Sequence, residues 1–223
     1  MNWIESLQEM NHKKLGGTSQ FGEADVIGKI FEHIPPTNKY FVDIGAGYYG
    51  HGIMSNTLPL AANGWKGLRI DANNDDDPTI IKSYVTPDNI LELLQAHNVP
   101  FGFDLLSIDI DSFDLDVMEV IVPTYRPRVI CTEYNGTLDP ELSVKLKYEP
   151  GYVWDETNKY GYSFGAAIKF CNKYGYKIIL NHINQNLFLV RGDLIADSDI
   201  PEIYCEQTNY HPLNPKAIWE EYV

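Results

Sequence analysis

The sequence has no long hydrophobic run, since no apolar stretch approaches the about 18 residues that a membrane-spanning helix needs. Residues 1–15 carry Glu5 and Glu9 instead of a basic head followed by an apolar segment, so they do not have the pattern of a secretory signal. We therefore expect no membrane span and a cytoplasmic location.

Cysteine and positive charge are also scarce. The three cysteines, Cys131, Cys171 and Cys205, form neither a CxxC pair nor an even framework, which excludes the usual zinc and disulfide patterns and favours a reducing compartment. Against 31 Asp and Glu there are only 17 Lys and Arg, giving a formal charge of −14. The electrostatic field of this negative charge repels phosphate groups, and no basic patch offsets it. We therefore do not expect nucleic acid or anionic membranes as partners.

What the chain does have is the composition of one folded α/β domain. Of its 223 residues, 44% are hydrophobic and 22% are charged, so a core of ordinary size can be buried. We divide it into an N-terminal helical cap, a main domain that contains a long lid or acceptor loop, and a C-terminal tail; these are residues 1–36, 37–195 with the loop at 137–160, and 196–223.

Strands and helices alternate along the main domain. Short apolar runs predict strands at 40–44, 67–71, 79–85, 103–111 and 128–133. Helical spacing predicts helices at 2–10, 24–34, 53–62, 87–97, 114–122 and 162–174. Residues 176–183 and 186–190 flank a tight junction and predict a terminal β-hairpin. Alternating units of this kind predict a mostly parallel sheet with helices on both faces.

A glycine turn follows the first strand. Asp43 ends that strand, and Gly45, Ala46 and Gly47 form the turn, which with Gly50 formally matches GxGxxG. Asp71 ends the second strand, at the same edge of the sheet, where an acid can accept hydrogen bonds from ribose hydroxyls. The combination indicates a nucleoside site. A tight turn without a ligand, and a loop acid at Asp71, are the open alternatives.

A second group of polar residues follows the fourth and fifth strands. Asp109 and Asp111 alternate with period two, which places both carboxylates on one side, and Glu133 and Asn135 repeat the arrangement on the neighbouring strand. Hard oxygen ligands clustered in this way suit Mg²⁺, Mn²⁺ or Ca²⁺. The alternative is that these acids cap helices or bind substrate directly, without an ion.

Four segments together resemble class I S-adenosylmethionine-dependent methyltransferases: residues 41–47, 64–71, 104–111 and 128–135. Within that superfamily the chain is most similar to FkbM-like and sugar O-methyltransferases, over residues 40–191. The resemblance implies a Rossmann-like fold whose seven-stranded sheet is mostly parallel, with an antiparallel last strand and helices on both faces.

The resemblance also implies a donor site. Its residues would hold the methionine part, the ribose and the adenine edge of S-adenosyl-L-methionine, and they are Asp43, Gly45, Ala46, Gly47, Asp71, Val85, Asn89 and Asp109. Val85 and Asn89 are the least specific of these, since they equally suit a strand end and a helix start without a ligand.

A metal-assisted reaction is the further implication. A sugar hydroxyl is a poor nucleophile, and a divalent cation, Mg²⁺ or Mn²⁺, lowers its pKa and positions it against the sulfonium methyl group. The ligands would be Asp109, Asp111, Glu133 and Asn135. The chain departs from the commoner Asp-x-Asp-Gly-x-Asp pattern by having Ser112 in place of glycine, so its turn is expected to differ slightly.

A general base completes the expected site. Asp111 or Asp114 is our first choice, and His182 on the sixth strand is the reserve, although a lone histidine in an apolar strand is more often structural. His51, beside the glycine turn, is a further candidate.

Aromatic residues of the long loop and the helix start that follows it are expected to stack on the sugar or, equally, only to pack the lid: Tyr148, Tyr152, Trp154, Tyr160 and Tyr162.

The leading hypothesis is an S-adenosylmethionine-dependent O-methyltransferase that acts on a hydroxyl of a sugar or glycan. Two alternatives stay open, because the Asp109-x-Asp111 pair also resembles the metal-diphosphate acids of nucleotide-sugar enzymes such as glycosyltransferases, and because fold alone never establishes turnover. The second alternative is a protein that binds the donor without catalysis. Whether the chain forms a homodimer or works beside glycosyltransferases is left open.

Overall fold

The computed structural model describes residues 2–10, 18–49, 52–53, 55–73 and 77–223. The helices are α1 Trp3–Met10, α2 Glu23–His33, α3 Leu58–Ala62, α4 Ile90–Ala96, α5 Asp114–Tyr125 and α6 Phe164–Tyr174. The strands are β1 Tyr40–Ile44, β2 Tyr48–Tyr49, β3 Gly52–Ile53, β4 Lys66–Asp71, β5 Ile80–Lys82, β6 Leu105–Ile108, β7 Val129–Glu133, β8 Val144–Leu146, β9 Tyr176–His182, β10 Asn186–Arg191 and β11 Trp219–Glu221. Two short 3₁₀ turns follow β10, at Gly192–Leu194 and Asp197–Asp199.

Seven strands form one central sheet in the order β5-β4-β1-β6-β7-β10-β9. The first five in this order pair in parallel, and β10 runs antiparallel to both of its neighbours. The predicted Rossmann-like α/β fold, with a mostly parallel sheet and an antiparallel last strand, is therefore confirmed.

Strand register brings the carboxyl ends of four strands level with one another. Ile44 at the end of β1 pairs with Ile70 on one side and Ile108 on the other, and Ile108 pairs with Thr132. The next residue on each of these strands stands at the same edge of the sheet: Gly45, Asp71, Asp109 and Glu133.

Apolar side chains cover both faces of the sheet, as expected for buried parallel strands. On one face Phe41, Leu105 and Phe188 pack with the N-terminal helices α1 and α2. On the other face, Val42 and Leu106 pack with α4, α5 and α6. Among the described residues, no helix combines the length and apolar character that crossing a membrane requires.

The helix after the glycine turn is shorter than predicted. The prediction of a helix over 53–62 was wrong, because Ile53 lies in β3 and α3 starts only at Leu58. The hydroxyls of Ser55 and Thr57 instead donate to the Asp43 carboxylate, at 2.7 and 2.8 Å, which commits this segment to a turn. Helix α3 then begins around a proline, where the missing N–H costs nothing.

The long loop and the C-terminal segment form one unit. Strand β8, within residues 137–160, pairs antiparallel with β11, within residues 196–223. Tyr222 is buried in the core, and its backbone N–H donates to the Ser143 carbonyl at 2.9 Å. The C-terminal segment thus holds the loop against the domain.

Gly45 is a position where the fold requires glycine. Its φ is +80°, and a Cβ placed there would collide with the carbonyl oxygen of Asp109. Gly64 has nearly the same φ, +81°, but open space around it. We expect Gly64→Ala to lose about 1–2 kcal/mol of unfolding free energy from the left-handed backbone alone. Gly45→Ala should lose clearly more, because β1 and β6 must also separate.

Urea unfolding of both variants tests this prediction. Equal losses at the two positions would contradict the close approach between Gly45 and Asp109.

Candidate functional site

Two adjoining cavities open at the carboxyl edge of the sheet. The larger has a volume of about 400 Å³ and the smaller about 90 Å³. Both are lined by Gly45, Gly47, Asp109 and Asp111, so they meet at this group of residues. A molecule in one cavity would therefore lie next to a molecule in the other.

The smaller cavity contains most of the residues predicted for the nucleoside. Asp71 and Val85 line it together with Tyr84. Asp71 is buried and accepts a hydrogen bond on Oδ1 from the Asn73 N–H at 2.7 Å. Its other oxygen has no hydrogen bond within the part of the chain that the structure describes, so it can accept one from a ligand.

Two residues predicted for this site lie elsewhere. The Asn89 side chain bonds the Thr86 N–H and the Tyr84 carbonyl, both at 2.8 Å, so it shapes the turn that carries Val85 and does not line either cavity. Ala46 is fully buried behind the turn and donates its N–H to the Ile70 carbonyl at 3.3 Å. Both positions are corrected from ligand contacts to supports of the site.

Asp43 lies in the wall of the larger cavity and is buried. Burial raises the pKa of its carboxyl, and the hydroxyls of Ser55 and Thr57 partly offset that shift by donating to it. Both of these hydrogen bonds end on Oδ2. Asp43 therefore fixes the turn after β1 from within the wall of the larger cavity.

The lining of the larger cavity includes three carboxyl groups, which we call the acidic triad: Asp109, Asp111 and Glu133. One oxygen from each lies within 4.8 Å of the others. Burial, followed by the charges of the other acids, raises the pKa of Asp109 and of Glu133 well above the ordinary value. Burial raises the pKa of Asp111 to about 6.

Three carboxylates at this spacing repel one another unless they share protons or a cation. Glu133 Oε2 is buried and has no hydrogen-bond partner among the described residues. A hard divalent cation satisfies such oxygens, so the donor set fits Mg²⁺, Mn²⁺ or Ca²⁺.

The three residues of the triad are brought together by strand pairing and by a turn. Asp109 and Glu133 are neighbours because β6 and β7 pair in register. Asp111 is not placed by strand alternation, since β6 ends at Ile108 and Asp111 has a left-handed φ of 53°. A turn, and not a continued strand, carries it into the cavity.

Asp114 holds this turn and does not line either cavity. Its two oxygens accept from the N–H groups of Ile110, at 3.0 Å, and Ser112, at 3.3 Å. Burial raises the pKa of Asp114 to about 7. The structure therefore corrects its predicted role from general base to a support for Asp111.

His182 is likewise not at the site. It is fully buried, its Nε2 lies 3.0 Å from the Phe21 carbonyl oxygen, and it lines neither cavity. The reserve prediction of His182 as base was wrong. The structure shows a buried structural histidine, which is the more common role of a lone histidine in an apolar strand. Gly50 and His51 lie outside the described residues.

Asn135 does not belong to the ligand set. Its amide oxygen accepts from the backbone N–H and the hydroxyl of Thr137, and its amide nitrogen donates to the carbonyls of Asn158 and Tyr160, both at 2.8 Å. No lone pair is left for a cation, so Asn135 is corrected to a residue that ties the long loop to β7.

Part of the lining of the larger cavity comes from residues that were not predicted from the sequence. Glu23, Gln185 and Asn186 line the larger cavity, and Glu23 Oε1 accepts from Asn186 Nδ2 at 2.9 Å. Glu23 has the pattern of an ordinary first-turn helix acid, so no local signal marks it.

Trp154 and His211 complete this cavity from the long loop and the C-terminal segment. Trp154 is the one member of the predicted aromatic group that lines it within the described part of the chain. Tyr148 and Tyr152 instead pack edge-on against Phe113.

The chain matches no protein-family model and no curated protein sequence. Among solved structures it is similar to MycE, a methyltransferase from the mycinamycin biosynthetic pathway, in complex with Mg, SAH and mycinamycin VI, at 14% identity and a TM-score of 0.48. A second structure of that protein, with Mg and SAH, is similar to the chain at 15% identity and a TM-score of 0.48. Each match covers 85% of this chain and 54% of the other, so the chain spans about half their length.

The raised pKa of Asp111 predicts how the stability of the fold changes with pH. The folded protein without a cation holds a proton on this carboxyl up to a pKa of about 6, whereas the unfolded chain releases it near 3.8. At pH values below its pKa in the unfolded chain, the Asp111 carboxyl therefore does not lower the free energy of unfolding. It lowers that free energy as pH rises through its pKa in the folded protein.

In EDTA, Asp111→Asn should raise the free energy of unfolding by about 1–2 kcal/mol near pH 7.5 and leave it unchanged near pH 4. Asparagine tolerates the left-handed backbone, so the turn should persist. Mg²⁺ or Mn²⁺ should stabilise the wild type more than the variant. Urea unfolding measures both effects, with the exposed Asp25→Asn as control. A pH-independent difference would contradict the shift.

Proposed function

We propose that this protein is an S-adenosylmethionine-dependent O-methyltransferase that modifies a hydroxyl of a sugar or glycan with the help of a divalent cation. The observation that carries the proposal is the position of the acidic triad, at the boundary between the smaller and the larger cavity. This is where a transferred group would pass from a donor to an acceptor.

The donor would occupy the smaller cavity and the glycine turn. The Asp71 oxygen that has no hydrogen bond among the described residues would accept from the ribose hydroxyls, and Val85 would supply an apolar wall for the adenine. The absence of a side chain at Gly45 lets the turn lie directly on the backbone of Asp109. The sulfonium end would then point towards the shared boundary of the two cavities.

The cation would be held by Asp109, Asp111 and Glu133, and when bound it lowers the pKa of a coordinated hydroxyl. The remaining residues orient the partners. Asp114 fixes the turn that carries Asp111, and register pairing fixes the other two ligands. Such pre-organised ligands would hold a cation at a fixed position beside both cavities.

The larger cavity supports a neutral acceptor. It has a volume of about 400 Å³, within the range of small-molecule sites, and a lining rich in carboxylate and amide groups beside one Trp ring. Its described lining contains no Lys or Arg, so apart from the proposed cation it offers no positively charged side chain to pair with an anionic sugar.

Donor binding is the first test of the proposal. We expect micromolar binding of S-adenosylmethionine by calorimetry and binding about 10- to 100-fold weaker for Asp71→Asn, since hydrogen bonds to a charged group are lost. The amide keeps an oxygen for the Asn73 N–H, so the turn should survive, and the exposed Asp25→Asn is the matched control. Preferential binding of a nucleotide sugar would contradict the proposal and favour a glycosyltransferase-like enzyme.

Cation dependence is the second test. Methyl transfer from radiolabelled S-adenosylmethionine to neutral methyl glycosides should stop in EDTA and return with Mg²⁺ or Mn²⁺. Glu133→Gln should lower the rate about 100-fold or more while donor affinity stays within a few-fold, because Glu133 lines only the larger cavity.

The exposed Glu92→Gln on α4 serves as the control for charge removal. Full activity of Glu133→Gln in EDTA would remove the cation from the mechanism. Donor binding without transfer to any acceptor would indicate a binding protein.

A further inference from the structure

The reaction proposed above releases a proton from the acceptor hydroxyl, and a group in the larger cavity must take it. The acids of the cavity are already engaged. Asp43 accepts from two hydroxyls, and Glu23 accepts from Asn186 Nδ2 and the Phe21 N–H, each at 2.9 Å. The triad residues are the proposed cation ligands, so none of these carboxylates is free to act as base.

His211 differs from these acids. Its imidazole lines the larger cavity together with the triad, and neither ring nitrogen has a hydrogen-bond partner among the described residues. The ring packs edge-on against Trp154, with 5.1 Å between centroids, and against Tyr160, with 5.6 Å between centroids. These contacts hold the plane of the ring and leave its nitrogens available.

The backbone on both sides of His211 is anchored to the long loop and the hairpin. The Asn158 N–H donates to the Pro212 carbonyl at 2.9 Å, and Asn158 Oδ1 accepts from the Asn214 N–H at 2.7 Å. On the other side, the Tyr210 hydroxyl donates to the Ile183 carbonyl at 3.2 Å. The imidazole is thus placed by ordered structure.

Tyr160 links His211 to the triad. Its hydroxyl is buried without a hydrogen-bond partner among the described residues. Burial, and then the charges of Glu133 and Asp109, raise the pKa of this phenol. His211 and the triad line the same cavity, where an acceptor bound at the triad would present its hydroxyl.

We propose that His211 is the general base of the reaction, an inference that rests on the proposed function. The hydroxyl oxygen forms a bond to the methyl carbon as the carbon–sulfur bond breaks, and the electron pair of that bond stays on sulfur. The hydroxyl proton moves to the free ring nitrogen of His211. The products are the methyl ether, neutral S-adenosylhomocysteine and an imidazolium, which later releases its proton to water.

The test compares His211→Gln and His211→Phe with wild type in methyl transfer to neutral methyl glucoside, mannoside and rhamnoside. We expect kcat to fall about 100-fold or more in both variants, with KM and donor affinity within about 3-fold of wild type. His211→Phe keeps the ring contacts with Trp154 and Tyr160 but cannot accept a proton. A third variant, His211→Ala, should lose activity in the same way, and added free imidazole should restore part of its rate.

The control is His97→Gln, an exposed histidine at the end of α4, which should behave as wild type. Activity of His211→Phe within 3-fold of wild type would overturn the proposal, because packing would then be the whole role of the ring. A wild-type protein that binds the donor but transfers no methyl group would instead contradict the proposed function, and the base with it.

Discussion

The site depends on the register of four parallel strands. Because Ile44 pairs with both Ile70 and Ile108, and Ile108 with Thr132, the four following residues stand in one row. A slip of one residue in any strand would turn its polar end residue into the core and an apolar residue into the cavity. The apolar layers on both sheet faces therefore fix the site as well as the fold.

The same row creates an electrostatic cost. It places Asp109 beside Glu133, and the turn adds Asp111, so three acids lie within 4.8 Å in partly buried surroundings. The chain keeps Asp111 there with a buried carboxyl, Asp114, bonded to two backbone N–H groups. A cluster of this kind, at the place where two cavities meet, is electrostatically unfavourable without a cation or shared protons, which fits a functional use of the cluster.

The sequence was sufficient for much of this arrangement. Strand patterns and the glycine turn predicted the sheet and the positions of Asp43, Asp71 and Asp109, because these depend on local spacing and on the common edge of parallel strands. Asn135 and His182 were misassigned, since their hydrogen bonds go to Asn158 and Phe21, far away in the chain. Contacts of that kind leave no periodic signal.

The two cavities differ in how they are built. The smaller one consists of strand ends and the turns that follow them, all within residues 44–112. The larger one adds α2, the β9–β10 hairpin, the long loop and the C-terminal segment, which meet only in the folded protein. Changes in those outer segments can reshape the larger cavity without disturbing the strand row. Under the proposed function, the donor and the acceptor would therefore be recognised by separable parts of this fold, and His211 belongs to the outer part.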